Sequence, residues 1–269
     1  MLERKNRSCA FEIPALSLTV SSRARAVRPF CLVIDQPITF GSGELVCVMG
    51  ANGSGKSTFL HLLSGISTHT FKSTSKNNSK NNSDVRLWQR PVSQYSLLDL
   101  ARMRATLQQF EQMSGLSVEA CIGLSEYPFG ACSTQYSMET YLTSFGLQDL
   151  KQAPLDELSG GQRQRVHLAR VFWQCELMFG MGGNPPILIM DEPMNHLDFS
   201  GQKQLIAQLL KLKDRGALVM VSSHLLDIVH VASRCVLFDN GKLVHDKHWS
   251  DESLPNRMAW VEQVLSQDR

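Results

Sequence analysis

Residues 50–58 read GANGSGKST, which satisfies the pattern G-x-x-x-x-G-K-[ST]. Before it stands ELVCVM (44–49), a short apolar run of strand character, and after it FLHLLSG (59–65), whose apolar spacing is helical. Strand, glycine-rich turn and helix in that order make a phosphate-binding loop. Its glycines let backbone N–H groups close around phosphate oxygens, and the helix start adds its positive end. Gly50, Ala51, Asn52, Gly53, Ser54, Gly55, Lys56, Ser57 and Thr58 are therefore the expected nucleotide-binding residues. Lys56 is expected to reach the β- and γ-phosphates and the Ser57 hydroxyl to ligate Mg²⁺. The fold this unit implies is α/β with a P-loop NTPase core.

Further along, ILIMDEP (187–193) sets Asp191 and Glu192 at the end of a wholly apolar strand. In an open α/β sheet ligands collect at the carboxyl ends of the strands, so this acid pair is expected beside the phosphate loop. Asp191 is the candidate for holding Mg²⁺ and Glu192 for polarising the attacking water as general base. A helix is expected from Ser159 through SGGQRQRVHLARVFWQC, another at about 201–213, the strand ALVMV (217–221) next, and a helix near 224–232. Asp239-Asn240-Gly241-Lys242, between two apolar runs, signals a tight hairpin. Strands apolar on both faces and alternating with helices describe a parallel sheet covered on each side. LLDLARMRATLQQFEQM (97–113) begins with helical periodicity, and 114–157 mixes short helical patterns with turns. Ser67 to Asp84, rich in Ser, Asn, Thr and Lys, has almost nothing to bury and reads as a flexible surface insertion.

The chain has 269 residues, room for one large domain or a core carrying a subdomain. Lys plus Arg number 27 against 25 Asp plus Glu, a net +2 that is too even for a nucleic-acid binder acting through a broad basic face. Seven scattered cysteines without a C-x-x-C pair read as reduced thiols. The opening MLERKNRSCAFEIPALSLTV holds no uninterrupted apolar stretch, so no export signal is expected. No apolar run approaches the roughly 18 residues that span a bilayer.

LSGGQRQR (158–165) narrows the reading, because here the sequence resembles the ATP-binding cassette (ABC) ATPases, whose signature is LSGGQ. The resemblance runs from about residue 40 to 245 with its motifs in family order. It implies a RecA-like core (1–108 and 159–269) with an antiparallel β region and an inserted α-helical subdomain (109–158). It also implies that Ser159, Gly160, Gly161 and Gln162 cradle the γ-phosphate held by an opposite subunit, so that two chains sandwich two ATP molecules. MNHLD (194–198) matches the D-loop, with Asp198 at the subunit contact, and VSSH (221–224) matches the switch, with His224 on the γ-phosphate.

The family's Q-loop glutamine, which binds Mg²⁺ or the water, is assigned to Gln109, with Gln108 the alternative and Gln89 or Gln94 further candidates. LSLTVSS (16–22) offers Val20 where the family stacks an aromatic on adenine, leaving Phe11 and Phe30 as substitutes. DLARMRATLQQ, VEACIGLSEYP and DEPMNHLD with VMVSSH resemble the ATPases of bacterial type II importers for haem, ferric siderophores or cobalamin. That resemblance implies an ATPase using ATP and Mg²⁺, peripheral on the cytoplasmic face of the inner membrane. Its implied partners are a second copy, two permease subunits and, indirectly, a periplasmic binding protein. The rival is a translation-factor cassette, which shares the NHLD wording but carries two cassettes and a charged linker.

Overall fold

The computed structural model describes residues 8–21, 30–65, 70–73, 85–108, 114–130, 132, 134–223, 226–249 and 253–267. In chain order the strands are β1 (Cys9–Ile13), β2 (Leu16–Ser21), β3 (Phe30–Ile34), β4 (Ile38–Gly41), β5 (Leu45–Met49), β6 (Thr70–Ser73), β7 (Arg86–Leu87), β8 (Arg90–Pro91), β9 (Arg104–Leu107), β10 (Ile187–Asp191), β11 (Leu218–Ser222), β12 (Arg234–Asp239) and β13 (Lys242–His248). The helices are α1 (Lys56–Ser64), α2 (Leu97–Ala101), α3 (Val118–Gly123), α4 (Met138–Ser144), α5 (Gly160–Met181), α6 (Phe199–Asp214), α7 (Leu226–Val231) and α8 (Leu254–Gln267).

Nine strands form one sheet in the order β6-β2-β3-β13-β12-β5-β11-β10-β9. From β12 to β9 every pair is parallel. At the other end β12–β13, β3–β2 and β2–β6 run antiparallel, and a four-stranded antiparallel sheet, β4-β1-β7-β8, lies apart. The core is thus α/β with an antiparallel region. Alternation along β5 shows how the sheet is covered on both faces: Leu45, Cys47 and Met49 join the cluster under α5, α6 and α7, while Val46 and Val48 join the one under α1. Phe40, Phe59 and Phe238, all fully buried, stack in the second cluster with ring centroids 6.2 and 4.9 Å apart. Burial of each such ring contributes about 1.5–3 kcal/mol.

Three expectations about elements are corrected. The helix begun at residue 97 stops at Ala101, capped at its start by reciprocal Ser96–Asp99 bonds, and the chain becomes strand β9 on the sheet edge. Arg104 to Leu107 pairs in parallel with Ile187 to Met190, and that ladder overrides a helix-like local pattern. Within the stretch expected to be a loose insertion, Thr70–Ser73 adds to the free edge of β2 as a strand. Backbone pairing needs no side-chain burial, so a polar composition did not announce it. Finally, the signature helix continues well beyond Cys175, to Met181, before Gly182 ends it.

Between β9 and β10 the chain leaves the sheet, and α3 and α4 pack on α5, whose buried face includes Val166, Phe172 and Trp173. The hairpin at Asn240-Gly241 forms as expected, with both residues at positive φ (45° and 84°). No helix among the described residues is long and apolar enough to cross a membrane.

Candidate nucleotide-binding site

Strand β5 lies between β11 and β12 at the centre of the sheet, and the phosphate loop leaves its carboxyl end. Gly50 cannot be anything else: at φ 143° a Cβ there would lie 2.2 Å from the Phe238 carbonyl and 2.4 Å from Ser54 Oγ. A backbone bond from the Gly241 N–H to the Ser54 carbonyl (2.9 Å) ties the β12–β13 hairpin to the loop. Helix α1 starts at Lys56 without any side-chain cap and with no acidic residue in its first turn. Its leading N–H groups are therefore left for an anion.

Lys56 is 6 % exposed and folds back on the loop, donating from Nζ to the carbonyls of Gly50 (2.8 Å) and Ala51 (3.0 Å). Burial pulls its ammonium below the usual lysine range, against the opposing pull of Glu192 and Asp191. Ser54 Oγ is buried with no partner among the described residues. A partnerless hydroxyl, an uncapped helix start and hard oxygen donors at Ser57 and Asp191 fit a phosphate chain with Mg²⁺.

Strand β10 delivers Asp191 two strands away from β5, with β11 between them. The register sets Ser222 of β11 directly beside Asp191. Its hydroxyl donates to Asp191 Oδ1 and accepts from the Glu192 N–H at 2.8 Å. Asn195 Nδ2 in turn donates to Glu192 Oε2 at 2.8 Å. Glu192 itself is held at φ 47°, a left-handed setting rare for a side chain of this kind. Ser222 and Asn195 both lie inside motifs quoted above, yet sequence reasoning gave neither a role. The neighbouring-strand register would have been needed to find Ser222.

Ser159 is the N-cap of α5, where its hydroxyl accepts from Gln162 N–H (3.2 Å) and Gln162 Oε1 accepts from Ser159 N–H (2.8 Å). Asp198 caps α6 by accepting from Gly201 N–H at 2.7 Å. The signature and D-loop residues share one cavity of about 240 Å³, lined by Ser159, Gly161, Gln162, His196 and Asp198 among others, and no phosphate-loop residue lines it. His196, at φ 64°, packs its carbonyl where a Cβ on Gly161 would come within 2.9 Å. The 191–198 turn thus connects the acid pair to the signature, and Gln164 Nε2 adds a 2.9 Å bond to the Pro193 carbonyl.

Gln109 and His224 lie outside the described residues. Gln108 follows β9 and lines a small cavity with Asp191 and Ser64. Gln89 and Gln94 belong instead to the β7–β8 hairpin and the turn after it, where their carbonyls accept from Arg86 (3.1 Å) and Arg90 (2.6 Å). Among the adenine candidates, Phe11 is fully buried in the core and is ruled out. Phe30 reaches the loop, its ring tip 3.0 Å from the place of a Cβ on Gly55. Val20 pairs through its backbone with Phe30 and Phe71.

The profile of the ABC transporter family matches residues 35–195. The chain is 32% identical over 220 residues to a protein of Rhodopseudomonas palustris (strain HaA2) named hemin import ATP-binding protein HmuV, covering 80% of this chain and 78% of that one. Its counterparts in Bordetella pertussis (32%, 86% of each chain) and Escherichia coli O157:H7 (30%, 77% of each) carry the same name. Among solved structures, the dimeric ABC transporter cassette MJ0796 superposes with a TM-score of 0.70 at 20% identity, over 88% of this chain and 98% of that one. A post-hydrolysis state of the same cassette bound to ADP and Pi gives 0.68. With the phosphate loop, acid pair and signature in place, these likenesses show that the chain belongs to the ABC transporter family, as one of its ATP-binding, ATP-hydrolysing subunits.

Proposed function

We propose that the chain powers uptake of an iron chelate, haem foremost, with siderophores and cobalamin the alternatives within the same importer class. The carrying observation is that relatives matching four-fifths of the chain at about 31% identity are named for hemin import. In this reading two copies work on two separate permease subunits at the cytoplasmic face of the inner membrane, and a periplasmic binding protein delivers the cargo. Residues 109–158 form the helical subdomain that meets the permease, and the rest forms the nucleotide-binding core.

Lys56 swings from its own loop carbonyls to the β- and γ-phosphates, and the α1 amides hold the remaining oxygens. Ser57, Asp191 and Gln109 would hold Mg²⁺, which when bound would neutralise charge on the phosphates. Glu192, oriented by Asn195 and Ser222, takes the proton of the attacking water. His224 contacts the γ-phosphate. Ser159, Gly160, Gly161, Gln162 and Asp198 serve the nucleotide on the opposite copy.

Reconstitution with the permease pair tests the cargo. ATP turnover in proteoliposomes is expected to rise with haem-loaded binding protein. A rise with cobalamin alone would replace haem by cobalamin, and no response to any of the three cargoes would remove the importer reading.

A further inference from the structure

A cleft of about 470 Å³ lies between α4 and α6, away from the nucleotide residues. One wall carries Tyr136, Thr140 and Ser144, and the other carries Gln208, Lys211 and Arg215. Its volume falls in the range of about 300–1,000 Å³ typical of small-molecule sites. Asp198 caps one end of the 16-residue helix α6, and the cleft opens at the other. At 1.5 Å per residue the two ends are about 24 Å apart.

Beneath this cleft Glu176 is fully buried. Its carboxylate accepts from the N–H groups of Gln135 (3.0 Å) and Tyr136 (3.3 Å), the Tyr141 hydroxyl (3.1 Å) and Arg215 Nη1 (2.7 Å). Burial, then the Glu176 charge, pushes the Tyr141 phenol up, so it stays a donor. The Arg215 guanidinium lies over the rings of Phe179 (3.9 Å) and Tyr136 (5.6 Å). The buried Glu176 is thus fully engaged, while Arg215, its partner, is 27 % exposed along the cleft.

Charge at the rim is not balanced. Asp214 is engaged by Lys213 at 3.0 Å, whereas Lys211 has no carboxylate partner among the described residues. The mouth therefore presents one uncompensated ammonium in the same cleft as Tyr136, a residue 41 % exposed.

We propose that this cleft binds a small planar anion, an aromatic or conjugated carboxylate or sulfonate, stacked on Tyr136 with its acid group against Lys211. Such a molecule touches α4 and α6 at once and holds them at one spacing. The proposal does not rest on the nucleotide or cargo readings.

Fluorescence titration of the nucleotide-free full chain with 8-anilinonaphthalene-1-sulfonate, a planar aromatic sulfonate, tests it. One saturable site per chain is expected, weakened about tenfold or more by Lys211→Glu and by Tyr136→Ala, and altered less than about twofold by Lys56→Ala. Ser144→Trp, which fills the cleft, should abolish the saturable phase. Lys211 is exposed, so its reversal leaves folding intact and decides the question even where another variant unfolds. Binding that never saturates, or that Lys211→Glu leaves unchanged, overturns the site.

Discussion

Glu192 is held in a left-handed backbone setting that a glutamate rarely adopts, with its N–H on Ser222 and its carboxylate on Asn195. Such a setting persists because neighbouring groups over-determine it, and here those same groups aim the proposed general base. Glu192→Gln keeps the shape and the Asn195 contact but cannot take a proton. ATP turnover should fall about 10²–10⁴-fold with nucleotide binding preserved, and undiminished turnover would refute the base assignment. Ser222→Ala removes one bond to each acid and leaves the Glu192 N–H without its acceptor, a cost of about 1–3 kcal/mol. Thermal unfolding should register that loss, and turnover should fall with it; a variant as stable and as active as the parent would show that Ser222 positions nothing. The loop 50–58 and the pair Asp191–Glu192 could be read from the sequence because the chemistry of phosphate and Mg²⁺ admits few residue types at fixed spacing. Ser222 and Asn195 could not, since a serine or asparagine becomes a support only once strand register brings it to an acid.

At the scale of elements, the strands buried on both faces were legible, because five consecutive apolar residues in β5, or four before Asp191 in β10, have few other uses. Edge strands were not. β9 follows a capped helix and shares its pattern, and β6 is written in Thr, Phe, Lys and Ser with only the open side of β2 to define it. β9 also carries a cost. Arg104 is 4 % exposed, its Nε has no hydrogen-bond partner among the described residues, and burial lowers its guanidinium to about 10. A cation whose folded value is depressed lowers stability at every pH below that value, and the penalty fades only as the pH rises through it towards the unfolded value. Arg104→Met should therefore raise unfolding stability at neutral pH by about 1–3 kcal/mol, and a drop in the denaturation midpoint would mean that the arginine is satisfied in a way its surroundings do not suggest. Removing Thr74 to Asn82, while leaving β6 in place, should change ATP turnover by less than about twofold, because little in that composition can contribute to a core. Loss of folding would place the insertion inside the structural core.

For the molecule as a whole, the separation of the phosphate loop from the signature is the decisive feature. The cavity shared by Ser159, Gly161, Gln162 and Asp198 receives no residue from the phosphate loop, so within one chain the two motifs line different spaces. The turn from Glu192 to Asp198 nevertheless joins them mechanically, since Asn195 holds Glu192 while the His196 carbonyl abuts Gly161. A second copy supplying its signature would complete each site, and the same turn would then sense both nucleotides. If the proposed contact between the signature and a partner's γ-phosphate is what joins two copies, a chain that binds ATP without cleaving it should accumulate in the paired state. Size-exclusion chromatography with light scattering on Glu192→Gln should give the 30.1 kDa chain mass without nucleotide or with ADP, and twice that mass with ATP and Mg²⁺. Glu192→Gln combined with Lys56→Ala, deprived of the phosphate grip, should remain at the single mass under all conditions. If Glu192→Gln binds ATP yet never doubles its mass, the signature residues serve some purpose other than a partner's nucleotide, and the two-copy reading fails.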